Sequence, residues 1–407
     1  MTTTVDPANQ WRLETPGADG WSRSARPGDP AKYFMVSADC HANEPVDWLE
    51  QRIEPAFRAR IPHVEVDEQG EAWLVTEGWR PQRLKTSQAA STMQAEDTAR
   101  SKAGADPAQR LRDHDLDGVD VEIVFPNKGL LVWATPDPVF AMAMCRAWNR
   151  WAHEAYADFA PRILPMAALS PGDRDGTLAE IAWATDHGFR GLTLPCKPVW
   201  GAHDADAPNY NLPEFDWLWA AVCDAGLPIT FHVSTGRDPR AARGHGGAVV
   251  NYVSHSLSPT MEPLANLCAS GVLERFPDLR FATIEAGIGW VPWALEAMDE
   301  AYRKHHMWAF PKLSMLPSEH YRRAGFSSFQ EDRVGLALAE QLDLVDNFLW
   351  ANDYPHHEGS WPHSAEAIER QMGHLQVDSR AKILGLNAAR LFKLDVPPDP
   401  AHRVPGG

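Results

Sequence analysis

The chain has 407 residues, 44% of them hydrophobic, and a formal net charge of −17. That apolar content is enough for a large buried core, while the acidic surplus argues against a nucleic acid or an anionic membrane as partner, since both call for a basic face. No apolar run approaches the roughly 18 residues that span a bilayer. The opening MTTTVDPANQ has no charged-then-apolar leader, and the five cysteines show no C-x-x-C spacing, as in a reduced cytoplasmic protein.

Residues 1–30 are polar and rich in Pro and Gly and read as a flexible arm. The run YFMVSADCHANEP turns abruptly from apolar to polar, which predicts a buried strand near Val36 ending in a functional loop. Residues 52–110 read as one irregular polar insertion, a lid or a dimer arm. From about residue 111, apolar runs alternate with helix-length segments. The strand candidates are VEIVFP (121–126), ILPMAAL (163–169), FRGLTLP (189–195), PITFHVS (228–234), LRFATIEA (279–286) and NFLWANDYP (347–355). Amphipathic stretches such as 138–160 and 213–226 lie between them, and ILGLNAARLF (383–392) reads as a closing helix. Such alternation predicts parallel strands joined by right-handed crossovers. With the strand near Val36 and another near GFSSFQ (325–330), the count predicts an α/β fold. It is a single (β/α)8 TIM barrel over 31–395, with the long insertion after the first strand and a tail at 396–407.

In a barrel the C-terminal ends of the strands form the active face. Metal-ligand residue types occur at that point in several strands: Asp39 and His41 after the first, His232 at the fifth, Glu285 at the sixth, and Asp353 with His356 after the last. Residues two apart on an extended chain point the same way, so Asp39 and His41 can converge on one ion. Singly each signal is weak. A lone His at a strand end is more often structural, and an Asp before Tyr-Pro can simply cap a turn. Jointly they point to a metal site handling a small-molecule substrate. Lys197 and Arg237, and similarly Lys128, follow strands and could hold an anionic substrate group. Trp133, Trp200, Trp290 and Trp361 could wall an apolar pocket, core packing being the alternative. His305 with His306 are weaker candidates, better read as a solvated helix end, and His245, in a flexible-looking loop, could contact substrate or only decorate the surface. The Trp-rich segment WNRWAHEAYADF suggests subunit packing, hence a homo-oligomer, a dimer in the simplest case.

The pieces ADCHANEP, LPITFHVSTG, FATIEAGIGWVPWALEAMDEAY, LWANDYPHHEGSWPHS and ILGLNAARLF stand in order at successive predicted strand ends. On them the chain resembles the amidohydrolase-related family, the group with aminocarboxymuconate-semialdehyde decarboxylase and the resorcylate-type decarboxylases, over roughly residues 33–395. The resemblance implies a TIM barrel in which Asp39 and His41 supply the first-strand metal motif and His232 the fifth-strand ligand. It makes Asp353 both a ligand and the acid or base. The sequence departs from the decarboxylases at Glu285, where they carry a catalytic histidine. Asp39, Glu285 and Asp353 with His41, His232 and His356 then make a donor set larger than one divalent ion commonly uses. It implies one or two ions, iron favoured, with zinc or manganese open. The alternative for Glu285 is a supporting residue that orients His232.

The stretches around Glu285 and Asn352–Gly359 are also similar to a branch of nonheme diiron monooxygenases that favour substrates carried on coenzyme A. Three enzyme readings follow. The first is O2-dependent hydroxylation of a bulky apolar substrate, CoA-linked acyl groups included, with Asp353 and Glu285 as the catalytic carboxylates. The second, nearly level, is metal-dependent hydrolysis of an ester, amide or thioester. The third is non-oxidative decarboxylation of an aromatic acid. A catalytically silent scaffold is the reading of another class, and it gives no reason for a full ligand set on one face.

Overall fold

The computed structural model describes residues 7–79, 81–83, 95–198, 208–235, 242, 244–305 and 307–398. Three residues singled out above, Trp200, Arg237 and His306, lie outside them. The strands in chain order are β1 (Val36–His41), β2 (His63–Val66), β3 (Ala72–Val75), β4 (Gln82–Arg83), β5 (Val121–Phe125), β6 (Ile163–Pro165), β7 (Ala167–Ala168), β8 (Leu192–Leu194), β9 (Ile229–His232), β10 (Phe281–Ile284), β11 (Gly325–Phe329) and β12 (Phe348–Trp350).

Strands β1, β5 and β6 pair in parallel, as do β7 to β12 in sequence order. The two sets join into one TIM barrel. β6 and β7 are a single run broken at Met166, paired with β5 through its first half and with β8 through its second. Met166 N donates to Val124 O (2.9 Å) and Ala167 N to Gly191 O (3.1 Å). The second seam lies just past the ends of β1 and β12, where Asp353 N donates to Asp39 O (3.1 Å) and His41 N to Tyr354 O (2.7 Å). Eight staves result, at the positions anticipated from the apolar runs. Helices precede most of them, among them Pro138–Tyr156 before β6, Arg174–Asp186 before β8 and Asp216–Ala225 before β9.

The staves are buried on both faces, as parallel strands covered by helices should be. Alternate residues, including Val36, Ala38, Ile123, Phe125, Ala282 and Ile284, gather in an apolar cluster that fills the barrel interior. On β1 this alternation is reset by an irregularity between Ser37 and Cys40. Such a bulge re-aims side chains. Here it turns Asp39 and His41 to the interior after Val36 and Ala38, while Cys40 joins the outer, helix-side core.

Three features differ from the sequence reading. Residues 7–30 are not loose, because Arg26 pairs with Glu366 and Glu369, and Tyr33 N donates to Ser24 O (2.9 Å). The 52–110 insertion is not irregular in its described parts. It holds the antiparallel sheet β2–β3–β4, whose first turn is fixed by Gly70 N to Asp67 O (2.9 Å), and a helix at Ala95–Lys102. The tryptophans of WNRWAHEAYADF do not face outward. Trp148 is fully buried and donates from Nε1 to Met166 O (3.0 Å), and Trp151 is 8% exposed. Most of their helix is core, which removes the observation behind a subunit contact there. Among the described residues no helix is long and apolar enough to cross a membrane.

Candidate metal centre

Five of the six proposed ligands come from four strand ends. Asp39 and His41 end β1, His232 ends β9, Glu285 follows β10, and Asp353 lies three residues beyond β12. The sixth, His356, comes from the turn after Asp353. All but His356 are at least nine-tenths buried. His41 Nε2 is 3.5 Å from Asp39 Oδ1, 3.4 Å from Glu285 Oε2, 3.6 Å from Asp353 Oδ1 and 3.2 Å from His232 Nε2. His232 Nε2 is 3.4 Å from Asp39 Oδ1 and 3.2 Å from Glu285 Oε2. Neighbouring donors around one ion with bonds of about 2.1 Å are separated by roughly 3.0–3.5 Å, so this spacing is that of a coordination shell. Two overlapping groups could hold a metal ion, Asp39–His41–His232–Glu285 and His41–Glu285–Asp353–His356.

Hydrogen bonding within the cluster points to the same chemistry. His41 Nδ1 lies 3.0 Å from Pro126 O and His232 Nδ1 2.9 Å from Val233 O. A carbonyl only accepts, so each Nδ1 carries the proton and each Nε2 of a neutral ring presents a lone pair. The two Nε2 atoms lie 3.2 Å apart. Both oxygens of Asp39 and both of Asp353 are buried without a hydrogen-bond partner. Buried carboxylates in that state are costly unless a cation neutralises them. The residues therefore fit a divalent ion, and the mixed carboxylate–imidazole set suits zinc, manganese or iron.

The charges of the cluster act strongly on one another. Burial opposes a charged His232, but the Asp39 and Glu285 carboxylates outweigh it and hold the ring at about 9. His356 is likewise held at about 10 against burial, chiefly by Asp353. Burial, reinforced by His356, pushes His41 well below the usual range. Burial also raises Glu285, and raises Asp353 strongly. His356 stacks on His41, with centroids 4.0 Å apart and planes at 25°, and its Nδ1 is 3.0 Å from Asp353 Oδ1.

The seam of the barrel supports this centre from behind. Ser37 Oγ donates to Asn352 Oδ1 (2.8 Å), Asn352 Nδ2 to Asp117 Oδ2 (3.0 Å), and Tyr354 Oη to Asp113 Oδ2 (2.6 Å). Arg110, fully buried, donates from Nη1 to His41 O (2.7 Å) and pairs with Glu122. Sequence reasoning missed Arg110 and Arg100 because both fall in the polar 52–110 stretch read as an irregular insertion, and Arg12 because it falls in the segment read as a flexible arm.

The other candidates among the described residues make their contacts elsewhere. Lys197 Nζ is committed to Glu262 at 3.2 Å, and Lys128 Nζ donates to Glu44 O. Trp290 packs against the core and donates from Nε1 to Ala286 O (3.0 Å). Trp361 sits edge-on to Tyr354 at 4.9 Å, and Trp133 is buried with its Nε1 on Leu169 O (2.8 Å). His245 and His305 are exposed.

A parallel barrel with buried imidazoles and carboxylates converging at the C-terminal ends of its strands is the architecture of a metal-dependent barrel enzyme. The chain belongs to the amidohydrolase family, whose sequence profile matches residues 38–394. No curated protein matches it by sequence. Among solved structures it is similar to an amidohydrolase from Mycobacterium avium subsp. paratuberculosis K-10, with 21% identity and a TM-score of 0.71 over 88% of this chain and 99% of that one. It is also similar to the 5-carboxyvanillate decarboxylase of Sphingomonas paucimobilis, with 19% identity and a TM-score of 0.62 over 89% and 100% of the two chains. A dihydroxybenzoic acid decarboxylase from Polaromonas sp. JS666, solved with bound manganese and an inhibitor, matches with 17% identity and a TM-score of 0.61 over 90% and 98%.

Proposed function

We infer that the protein is a divalent-metal-dependent enzyme that decarboxylates an aromatic acid without an oxidant. The observation that carries the metal dependence is the gathering of the Asp39 and Asp353 oxygens, which accept no hydrogen bond, around the Nε2 atoms of His41 and His232, whose Nδ1 atoms are turned away to backbone carbonyls. The neighbouring decarboxylases, one with bound manganese, favour the non-oxidative reaction over oxygen activation.

Asp39, His41, His232 and Asp353 would hold the ion, with Glu285 beside them. When bound, the ion supplies a positive centre that orients and polarises a substrate oxygen. Asp353 moves the proton. As the bond from the ring to the carboxyl carbon breaks and CO2 leaves, its electron pair stays on the ring carbon, which takes a proton from Asp353. His356, against Asp353 Oδ1, keeps that carboxyl in place. The apolar barrel interior beneath the cluster, with Phe125 5.1 Å from the His232 ring, excludes water from below.

A second reading, hydrolysis of an ester or amide, is favoured by one observation. Glu285 stands where the decarboxylases resembled by this sequence carry histidine. Three carboxylates around a single divalent ion leave the site net negative, which favours a neutral substrate over a carboxylate. There Asp353 would instead take a proton from the attacking water.

The test loads chelated protein with manganese, zinc or iron(II). CO2 release from hydroxybenzoates, hydrolysis of aryl esters and amides, and O2 uptake are then followed in parallel. Metal-dependent CO2 release without O2 uptake is the expected result. Ester or amide turnover alone would replace it with the second reading. About two irons per chain with O2 uptake would restore hydroxylation. Absence of stoichiometric binding of any ion would overturn the metal dependence itself.

A further inference from the structure

Two buried arginines from outside the ring of staves grip the loop that follows Asp353. Arg12, in the short helix Pro7–Leu13, donates from Nη1 to Gly359 O (2.8 Å) and from Nη2 to His357 O (2.9 Å). Arg100, in the inserted helix Ala95–Lys102, donates from Nη1 to the same His357 O (3.0 Å). They are 8% and 1% exposed. Between the two gripped carbonyls and the ligand strand the chain is drawn tight. His356 N donates to Asp353 O (2.8 Å) and Ser360 N to Asn352 O (3.0 Å). A Cβ at Gly359 would stand 2.3 Å from Asn352 O, so only glycine lets the loop lie this close.

The arrangement has a direction. The carbonyls of His357 and Gly359 point back to the guanidinium groups, while the ring of His356 points forward to stack on His41 beside Asp353. A charged donor grips a carbonyl more firmly than a neutral one, and the planar guanidinium can hold two carbonyls at once in fixed geometry. We propose that Arg12 and Arg100 are positioning residues of the metal centre. They set the 356–359 loop so that His356 stays against His41 and Asp353, and the centre is complete only when the N-terminal segment and the insertion are both docked. The proposal rests on the cluster being a metal centre, and it gives the insertion a task other than a lid or a dimer arm.

The experiment titrates chelated full-length protein with Mn(II), with free Mn(II) read by electron paramagnetic resonance. Wild type, Arg12→Gln, Arg100→Gln, His356→Ala and the Arg12→Gln/His356→Ala pair are compared well below their melting temperatures, which are recorded separately. Each arginine variant is expected to bind Mn(II) about tenfold more weakly, as when a group that orients a ligand is lost. Arg12→Gln should add little once His356 is gone, because it acts through that ring. Unchanged Mn(II) affinity with only a lowered melting temperature would overturn the proposal, as would losses that add in full. If the Gln variants do not fold, Arg12→Lys and Arg100→Lys take their place. They keep the charge but not the fork, and wild-type affinity in them would overturn the proposal equally. Wild type that binds neither Mn(II), Zn(II) nor Fe(II) would instead bring down the metal reading beneath it.

Discussion

Glu285 and Asp353 share one backbone conformation: each follows a barrel strand and each is left-handed, with φ of 59° and 54°. Residues with a Cβ are held there at a cost of about 1–3 kcal/mol, and only where the surroundings over-determine the turn. The turn swings both carboxylates inward to His41, whose Nε2 is 3.4 Å from Glu285 Oε2 and 3.6 Å from Asp353 Oδ1, so the strain is stored where the donors must meet.

Glu285→Gly should relieve that strain and remove a buried carboxylate that burial raises above its ordinary range. In chelated protein its unfolding free energy in urea is expected to rise by about 1 kcal/mol, while metal content falls. A less stable chelated variant would show that the left-handed turn at Glu285 carries no strain.

Asp39→Asn should change sign with the metal. In chelated protein it removes one of three crowded carboxylates, whose two oxygens accept no hydrogen bond, and the melting temperature should rise above wild type. With saturating Mn(II) wild type gains stability by binding and the variant gains less, so the order should reverse. Thermal melting with chelator and with Mn(II) reads both, and the same order in both conditions contradicts a cation at Asp39.

Arg110 and Glu122 form a fully buried pair, which also touches His114 at 2.9 Å. Removing one partner leaves the other charged and buried. Arg110→Met is expected to lose about 3–5 kcal/mol in urea unfolding, and Arg110→Met/Glu122→Gln to recover much of that. Additive losses would mean the two side chains act independently.

The same pair predicts an acid sensitivity. Burial alone would raise the Glu122 carboxyl, but Arg110 and His114 outweigh it and hold it far below its ordinary 4.5. A depressed carboxyl lends stability that is fully present above the unfolded value near 4.5. That stability is lost progressively as pH falls from there toward the folded value. Urea midpoints from pH 6 down to pH 3 should therefore fall more steeply in wild type than in Glu122→Gln. Parallel slopes would remove Glu122 from the acid response.

The staves were legible because each is a short apolar run ending in an abrupt polar change. That contrast survives without any tertiary information, as at Phe231–His232 and Ile284–Glu285. The direction of the side chains beyond those ends was less so. The bulge between Ser37 and Cys40 turns Asp39 and His41 inward, and nothing in SADCH announces it. The insertion hid its hairpin because HVEV and AWLV are short, and β2 is fully exposed, so no core enforces a visible pattern. The buried arginines were illegible in principle. Arg12, Arg100 and Arg110 sit in polar segments, and each is buried by partners distant in sequence that local patterning cannot report. Trp148 and Trp151 were misplaced for the converse reason: the broad apolar face of their helix packs inward on the barrel rather than outward on a partner.

Arg12 and Gly359 are 347 residues apart, yet directly bonded. The order of synthesis then matters to the site. A ribosome must deliver the last stave before the first helix has anything to grip, so the centre is among the latest features a nascent chain can finish. Contacts of such long range are entropically slow to close. Until they form, the three carboxylates lie on segments with no common anchor, and an ion met early would find scattered single donors rather than a cage.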